Sequence, residues 1–316
     1  MNRADFTVLV TGAGGFIGRQ LVTRLLTEPA LAGARFTLCD LVLPERPDDA
    51  RVRVVEGDFG QVAVLAQLLE DAPDLVFHLA GVLGGAAEAD PALARRVNID
   101  ATLSLFDALR APDQPPRVVF ASSIAVFGPS NGERIDDATE TRPTLVYGAQ
   151  KRMAEIALDQ MSARGWIDGI ALRLPGVVAR PGADARLKSA FLNSVFHAVA
   201  RGEDMTLPVP RDGTTWLLSV QACVDALLHA ARVPAAMLQD RRVFTLPAQR
   251  VQFGDLIEGL RRAFPGSASC IEFRPDPDIT AQFGRQPELS TQGADALGFC
   301  HDGDLAMLIT RAMERN

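Results

Sequence analysis

Residues 6–18 read Phe-Thr-Val-Leu-Val-Thr-Gly-Ala-Gly-Gly-Phe-Ile-Gly. The run 6–10 has the character of a buried β-strand, and Phe16, Ile17, Leu21, Leu25 and Leu26 then recur at helical spacing, so the segment predicts strand, glycine turn, helix. Gly12, Gly15 and Gly18, spaced by three, let the chain turn sharply and let a pyrophosphate approach the N–H groups at the helix N-terminus, where the helix dipole favours an anion. A lone glycine pattern is a weak signal. Here it has its context, because Asp40 closes the next predicted strand 22 residues after Gly18, where such a turn expects an acid to hold ribose hydroxyls at a distance of about 20. The charge of Asp40 would repel a 2′-phosphate, which favours NAD, while Arg35 and Arg46 nearby keep NADP as the alternative. Asp58 stands at the predicted end of a third strand, within reach of an adenine edge or serving its own turn.

Working outward, strands and helices alternate. Strands are predicted at 36–39, 52–55, 75–79, 117–121 and 169–174, and helices at 61–70, 91–110 and 147–164. Strands written as continuous Val/Leu/Phe runs argue an α/β fold, a doubly wound parallel (Rossmann) sheet with helices on both faces. Past Pro175 the rhythm changes: helices at about 184–201, 220–232 and 253–264 are separated by irregular, Pro- and Gly-containing connections. The organisation expected is an NAD-binding domain over 1–175, with segments near 215–235 and 243–248 returning to it, and a smaller interleaved α/β substrate lobe over 176–316.

Composition narrows the partners. Across 316 residues 47 % are hydrophobic and 22 % charged, which excludes disorder, and a net charge of -7 gives no basic footprint for nucleic acid. The longest weakly polar stretch, 75–89, is broken by His78 and too short to span a bilayer, and strand-like sequence from Phe6 leaves no room for a signal peptide, so a cytoplasmic protein is expected. Cys39, Cys223, Cys270 and Cys300 and the four histidines are dispersed with no ligand spacing, so no metal is expected.

The chemistry concentrates at one place. Tyr147 is the sole tyrosine, and of the 32 basic residues all but Lys151 and Lys188 are arginine. Tyr147 and Lys151, four apart at a helix start, share one face. A tyrosine is a poor base at neutral pH, but an ammonium close by stabilises the phenolate and brings it into range for taking a proton from an alcohol. Ser122 and Ser123 follow the predicted strand 117–121, at the carboxyl end of the sheet, where ligands of such sheets bind.

These residues together resemble the extended short-chain dehydrogenase/reductase family, the group of NAD-dependent epimerases and dehydratases. The pieces that match are Thr-Gly-Ala-Gly-Gly-Phe-Ile-Gly (11–18), Asp40, Gly57-Asp58, Phe-His-Leu-Ala-Gly (77–81), Asn98, Ser-Ser-Ile-Ala-Val-Phe-Gly (122–128) and Tyr-Gly-Ala-Gln-Lys (147–151). The resemblance implies that Tyr147 is the general base, that Lys151 binds the nicotinamide ribose and lowers the Tyr147 pKa, and that Ser123 holds the substrate oxygen. It implies an NAD site of Gly12, Gly15, Phe16, Ile17, Gly18, Asp40, Asp58 and Phe59, completed by Leu79, Ala80, Gly81, Asn98 and Pro175 with Tyr147 and Lys151. It also implies a homodimer through the helices near 91–110 and 147–164, which carry apolar residues on more than one face: Val97, Leu103, Leu105 and Phe106 in the former, Met153, Ile156, Leu158 and Met161 in the latter.

Departures narrow the reaction. Ile124-Ala125 stand where dehydratases of the family carry an acid pair, and Arg173-Leu174-Pro175-Gly176 lacks the asparagine that epimerases use on a diphosphate. Leu-Arg-Leu-Pro (172–175), Ala-Arg-Pro-Gly (179–182), Trp-Leu-Leu-Ser (216–219) and Arg-Pro-Asp-Pro (274–277) are similar to members that oxidise the C2 hydroxyl of a small sugar acid. For such a substrate Arg180, Ser189, Thr215 and Trp216, with Arg211 nearby, are the candidate contacts. A nucleotide-sugar 4-epimerase that retains its NAD is the alternative.

Overall fold

The computed structural model describes residues 6–111, 113–129, 132–182, 188–238 and 240–314. In chain order the first elements are β1 (Thr7–Thr11), α1 (Phe16–Thr27), β2 (Arg35–Asp40), β3 (Val52–Glu56), α2 (Val62–Leu68), β4 (Leu75–His78), α3 (Gly84–Ala89) and α4 (Pro91–Arg95). A π-helical turn (Arg96–Ala101) leads into α5 (Thr102–Ala108), followed by β5 (Arg117–Ser123), β6 (Arg134–Ile135), α6 (Val146–Ala163), β7 (Asp168–Leu174) and β8 (Gly176–Val178). Next come α7 (Phe191–Arg201), β9 (Met205–Leu207), β10 (Thr214–Ser219), α8 (Val220–Arg232), α9 (Ala235–Leu238), β11 (Val243–Thr245) and β12 (Gln249–Gln252). The last are α10 (Phe253–Ala263), β13 (Ile271–Phe273), α11 (Pro277–Phe283), β14 (Glu288–Leu289), α12 (Gln292–Ala296) and α13 (Leu305–Met313).

The chain divides into two compact units. The first takes the residues up to 123, with 145–173 and 227–244. Its seven-stranded sheet has the order β11-β7-β5-β4-β1-β2-β3, and the pairings from β5 to β3 are parallel. This is the Rossmann-like arrangement the alternation predicts, and its strand order reverses direction between β1 and β4, where ligands of open parallel sheets bind. Every residue of β1 is buried, as a strand covered on both faces requires. Arg117 and Arg242 share Asp168 at 2.7 Å each, and Arg117 also donates to the carbonyls of Ala230 and Val233, which ties the ends of β5, β7 and β11 together.

One helix differs from the sequence reading. The stretch 91–110 is broken by the π-helical turn. Within it Asn98 is buried; its Nδ2 donates to the carbonyl of Val82 (3.0 Å) and to Gln150 Oε1 (2.8 Å), and its Oδ1 accepts from the Val82 N–H (2.8 Å). These bonds hold an extra residue in the turn, and hydrophobic periodicity does not report it.

The second unit takes 124–144, 174–226 and the residues from 245 onward. Leu192, Val195, Phe196 and Val199 of α7 and Phe253, Leu256, Ile257 and Leu260 of α10, both at i, i+3, i+4, i+7, pack with Leu308 and Ile309 of α13. Of the two segments expected to return to the main sheet, 243–245 pairs there; 214–219 pairs with β8 and β12 in a three-stranded sheet. Of the helix expected from 184, residues 184–187 lie outside the described residues, and α7 begins at Phe191. Among the described residues no helix is long and apolar enough to cross a membrane.

His78, at the end of β4, is fully buried among the rings of Phe59, Phe106 and Phe120. Thr102 donates its hydroxyl to the Val97 carbonyl, so His78 Nε2 is the donor to Thr102 (3.0 Å) and Nδ1 accepts from Thr11 (2.6 Å). Burial, aided by the Lys151 charge, lowers the imidazole pKa to about 3, so the folded protein holds it neutral. The unfolded chain takes up a proton below its ordinary value of 6.5, so the contribution is full above pH 6.5 and is lost as pH falls toward 3. His78→Gln is expected to remove a slope of about 1.4 kcal/mol per pH unit on the acid side of 6.5, read from urea unfolding at pH 7.5 and at successively lower pH.

Candidate active site

The turn after β1 is built by contact between backbones. Gly12 has φ +74, in the left-handed region, and a Cβ there would lie 2.7 Å from the N atom of Ala80; a Cβ on Gly18 would lie 2.0 Å from the Gly12 carbonyl oxygen. The turn is therefore pressed against Leu79-Ala80, the turn that follows β4. Helix α1 starts with no side chain capping its first N–H groups and no acidic residue in its first turn. Its N-terminus presents unneutralised donors, with Phe16 and Ile17 in that turn, and the donor set fits a pyrophosphate.

Asp40 ends β2, and its carboxylate accepts the N–H of Gly14 (2.9 Å) and of Leu41 (2.8 Å). Leu41 and Val42 beside it are exposed. The two arginines that kept NADP open are both engaged by carboxylates: Arg46 by Glu56 at 2.7 Å and Arg35 by Asp71 at 3.4 Å. Asp58 accepts the N–H of Gly60 within its own turn, and Phe59 is buried edge-on to His78. Gly81 lies beside Asn98 and Lys151: a Cβ on it would be 3.1 Å from Asn98 Oδ1 and 3.6 Å from Lys151 Nζ.

At the carboxyl end of β5 the Ser123 hydroxyl donates to the Tyr147 phenol. Lys151 is buried; its Nζ donates to the Ala121 carbonyl at 2.7 Å and lies 5.7 Å from the centre of the Tyr147 ring. Burial pushes the Tyr147 phenol up to about 12, with the Ser123 hydrogen bond pulling it back. Burial likewise lowers Lys151 to about 8, against the pull of the Glu155 carboxylate. Ser123, Tyr147 and Lys151 are thus brought together at the carboxyl end of β5. The start of α6 is itself held by Glu88, which accepts the Val146 N–H at 2.6 Å.

Pro175 follows β7 directly and is buried. In the second unit, Arg180 follows Ala179, a non-glycine residue at φ +64; the Ala179 carbonyl accepts from His197 Nε2 (3.0 Å), and the Arg180 N–H donates to Asn193 Oδ1 (3.0 Å). Backbone in this region costs energy and persists where the surroundings impose it. Ser189 is partly buried just before α7. Thr215 is buried on β10; Trp216 is buried with Val126, Phe127 and Ile135 and donates its indole N–H to the Pro287 carbonyl. Arg211 pairs with Glu258 at 2.6 Å.

Two residues beside the site went unnoticed in the sequence. Gln150 orients Asn98, and Glu155, fully buried, accepts from Ser122. Glu155 could have been found, since it continues the spacing of four set by Tyr147 and Lys151. Gln150 carries no such signal.

Residues 8–244 match the NAD dependent epimerase/dehydratase family. The chain is 38 % identical over 316 residues to D-erythronate dehydrogenase of Cupriavidus necator, covering 97 % of this chain and 98 % of that protein. It is 32 % identical over 311 residues to D-erythronate dehydrogenase of Haemophilus influenzae, covering 97 % and 98 %. A crystal structure described as a nucleoside-diphosphate-sugar epimerase from Agrobacterium tumefaciens superimposes with a TM-score of 0.86 at 33 % identity, covering 96 % of this chain and 92 % of that one.

The contact at Gly18 makes a direct expectation. Gly18→Val forces the Gly12 carbonyl away and opens the turn, so binding of NAD, followed by calorimetry, is expected to weaken by at least about 100-fold, with circular dichroism showing whether the sheet persists.

Proposed function

The chain belongs to the NAD-dependent epimerase/dehydratase family, and from that premise we propose that it oxidises the C2 hydroxyl of D-erythronate, or of a closely similar small sugar acid, to the 2-oxo acid. The observation that supports this most is the grouping of Ser123, Tyr147 and Lys151 in a chain similar over its whole length to two D-erythronate dehydrogenases. NAD, when bound, supplies the acceptor for the hydride that leaves C2.

The residues of the chain do the rest. The N-terminus of α1, reached through Gly12, Gly15 and Gly18, holds the pyrophosphate. Asp40 holds the adenosine ribose hydroxyls, and with Arg35 and Arg46 already paired no free cation from that pair answers a 2′-phosphate. Tyr147 takes the hydroxyl proton as the C2–H bond breaks, and Ser123, donating to the same oxygen region, steadies the substrate oxygen. To the Lys151 ammonium, 5.7 Å from the centre of the Tyr147 ring, we assign the stabilisation of the phenolate as the proton is taken. For the carboxylate of the acid we assign Arg180 and Ser189; Trp216, packed into a core cluster with its indole N–H donated to the Pro287 carbonyl, and the buried Thr215 are not assigned. Arg211, paired with Glu258, is not assigned.

Helix α6 leaves Met153 and Ile156 about half exposed, whereas Leu158 and Met161 on it are core residues. The two exposed side chains are the basis for proposing a homodimer. The second functional reading, a nucleotide-sugar 4-epimerase with retained NAD, is favoured by the likeness to the Agrobacterium structure.

The two readings separate on one assay. With NAD and D-erythronate, NADH absorbance is expected to accumulate; Tyr147→Phe lowers kcat by about 10³-fold while NAD still binds. NAD that stays bound, with no NADH released on any four- to six-carbon sugar acid, would instead favour the epimerase. Light scattering at micromolar concentration is expected to give twice the mass of one chain, and Met153→Glu together with Ile156→Glu to shift it toward one.

A further inference from the structure

Three consecutive residues at the end of β5 are each tied to α6. The Ala121 carbonyl accepts from Lys151 Nζ (2.7 Å), Ser122 Oγ donates to Glu155 Oε1 (2.5 Å), and the Ser123 hydroxyl donates to Tyr147. Their partners, 147, 151 and 155, are four apart and form one stripe along the helix. Two members of the stripe belong to the proposed chemistry. The third, Glu155, has a fully buried side chain, and Arg173 of β7 grips its carboxylate through Nε and Nη2 at 2.9 Å each. Arg152 on its own helix approaches at 3.2 Å.

We propose that Ser122, Glu155 and Arg173 form a positioning clamp, resting on the reading above, that sets the register of β5 against α6 and thereby the alignment of Ser123 with Tyr147, while holding a carboxylate one helical turn from Lys151. Adhesion between the two elements alone needs no charge, because apolar side chains of the same volume would join them without desolvating an ion pair. The charge has a use at Lys151. Burial drives that amine toward its neutral form, and Glu155 opposes the shift. The titratable groups facing Lys151 are Tyr147 and Glu155 on its own helix and the neutral His78 on β4; those facing Glu155 are Arg152 and, from β7, Arg173. Glu88 of α3 reaches the same helix at its first turn. Removing the Glu155 charge removes its pull on the amine, so Lys151 gives up its proton at lower pH.

The test compares wild type with Tyr147→Phe, Ser122→Ala, Ser122→Thr and Glu155→Gln, measuring kcat, KM and kcat/KM against pH with D-erythronate and NAD, together with thermal unfolding. Ser122→Ala is expected to lower kcat about tenfold with little change in the KM for NAD, and Ser122→Thr, which keeps the hydroxyl, to recover most of it. Glu155→Gln is expected to move the alkaline limb of kcat/KM to lower pH by about one unit, a shift that a purely structural role would not produce. The clamp is overturned if both variants only lower the unfolding temperature, with kcat and the alkaline limb as in wild type. Wild-type turnover in Tyr147→Phe would overturn the underlying reading instead. Should Glu155→Gln fail to fold, the serine pair decides: kcat lost in Ser122→Ala and regained in Ser122→Thr supports the clamp, and wild-type kcat in Ser122→Ala refutes it.

Discussion

At Gly18 a single methyl group would sit 2.0 Å from the Gly12 carbonyl oxygen, and at Gly12 it would sit 2.7 Å from the Ala80 nitrogen. No side chain fits, so the turns after β1 and β4 can touch only through glycine. That contact brings the open end of α1 and the Leu79-Ala80-Gly81 segment together at the point where the strand order of the sheet reverses. It leaves the peptide N–H groups at the start of α1 open to an anion, and Asp40 at the end of β2 reaches back to the Gly14 N–H. The Lys151 ammonium lies close to Gly81 as well, so the same narrow backbone approach borders the residues proposed for catalysis.

Around Tyr147 and Lys151 two physical effects oppose each other. Taking both groups out of water favours their neutral forms, pushing the phenol up to about 12 and the amine down to about 8. Hydrogen bonds and one buried carboxylate push back, through Ser123 on the phenol and Glu155 on the amine. The phenol and the amine thus sit side by side in a dry environment, where interactions between charges are stronger than in water. His78, one strand away, is kept neutral by the same burial, so it adds no competing cation beneath the lysine.

Most of the first unit could be read from the sequence, because a parallel sheet writes its strands as continuous apolar runs and its phosphate turn as glycines at fixed spacing. The limits of β1 to β5 and of β7 fall within one or two residues of expectation, and the tyrosine, lysine and serine do lie together. Three things escaped. The π-helical turn depends on one asparagine side chain satisfying the main chain of Val82 across 16 residues of sequence, which periodicity does not encode. Ser122 and Ser123 look alike as letters, and only the strand's alternation sends one inward to Glu155 and the other toward Tyr147. In the second unit short strands pair across long separations, as β10 does with β8 and β12, and the sequence pattern there leaves the choice of partner open.

The scarcity of lysine has a practical consequence for chemical labelling. Of the two side-chain amines, Lys188 is exposed while Lys151 is buried, hydrogen-bonded to the Ala121 carbonyl and covered by the rings of Phe120 and Tyr147. Lysine-directed reagents on the folded protein therefore meet Lys188 first, so a dye, bead or cross-linker can be placed there while Ser123, Tyr147 and Lys151 stay chemically untouched. Modification of the second lysine then becomes a counter of how often α6 and the end of β5 come apart.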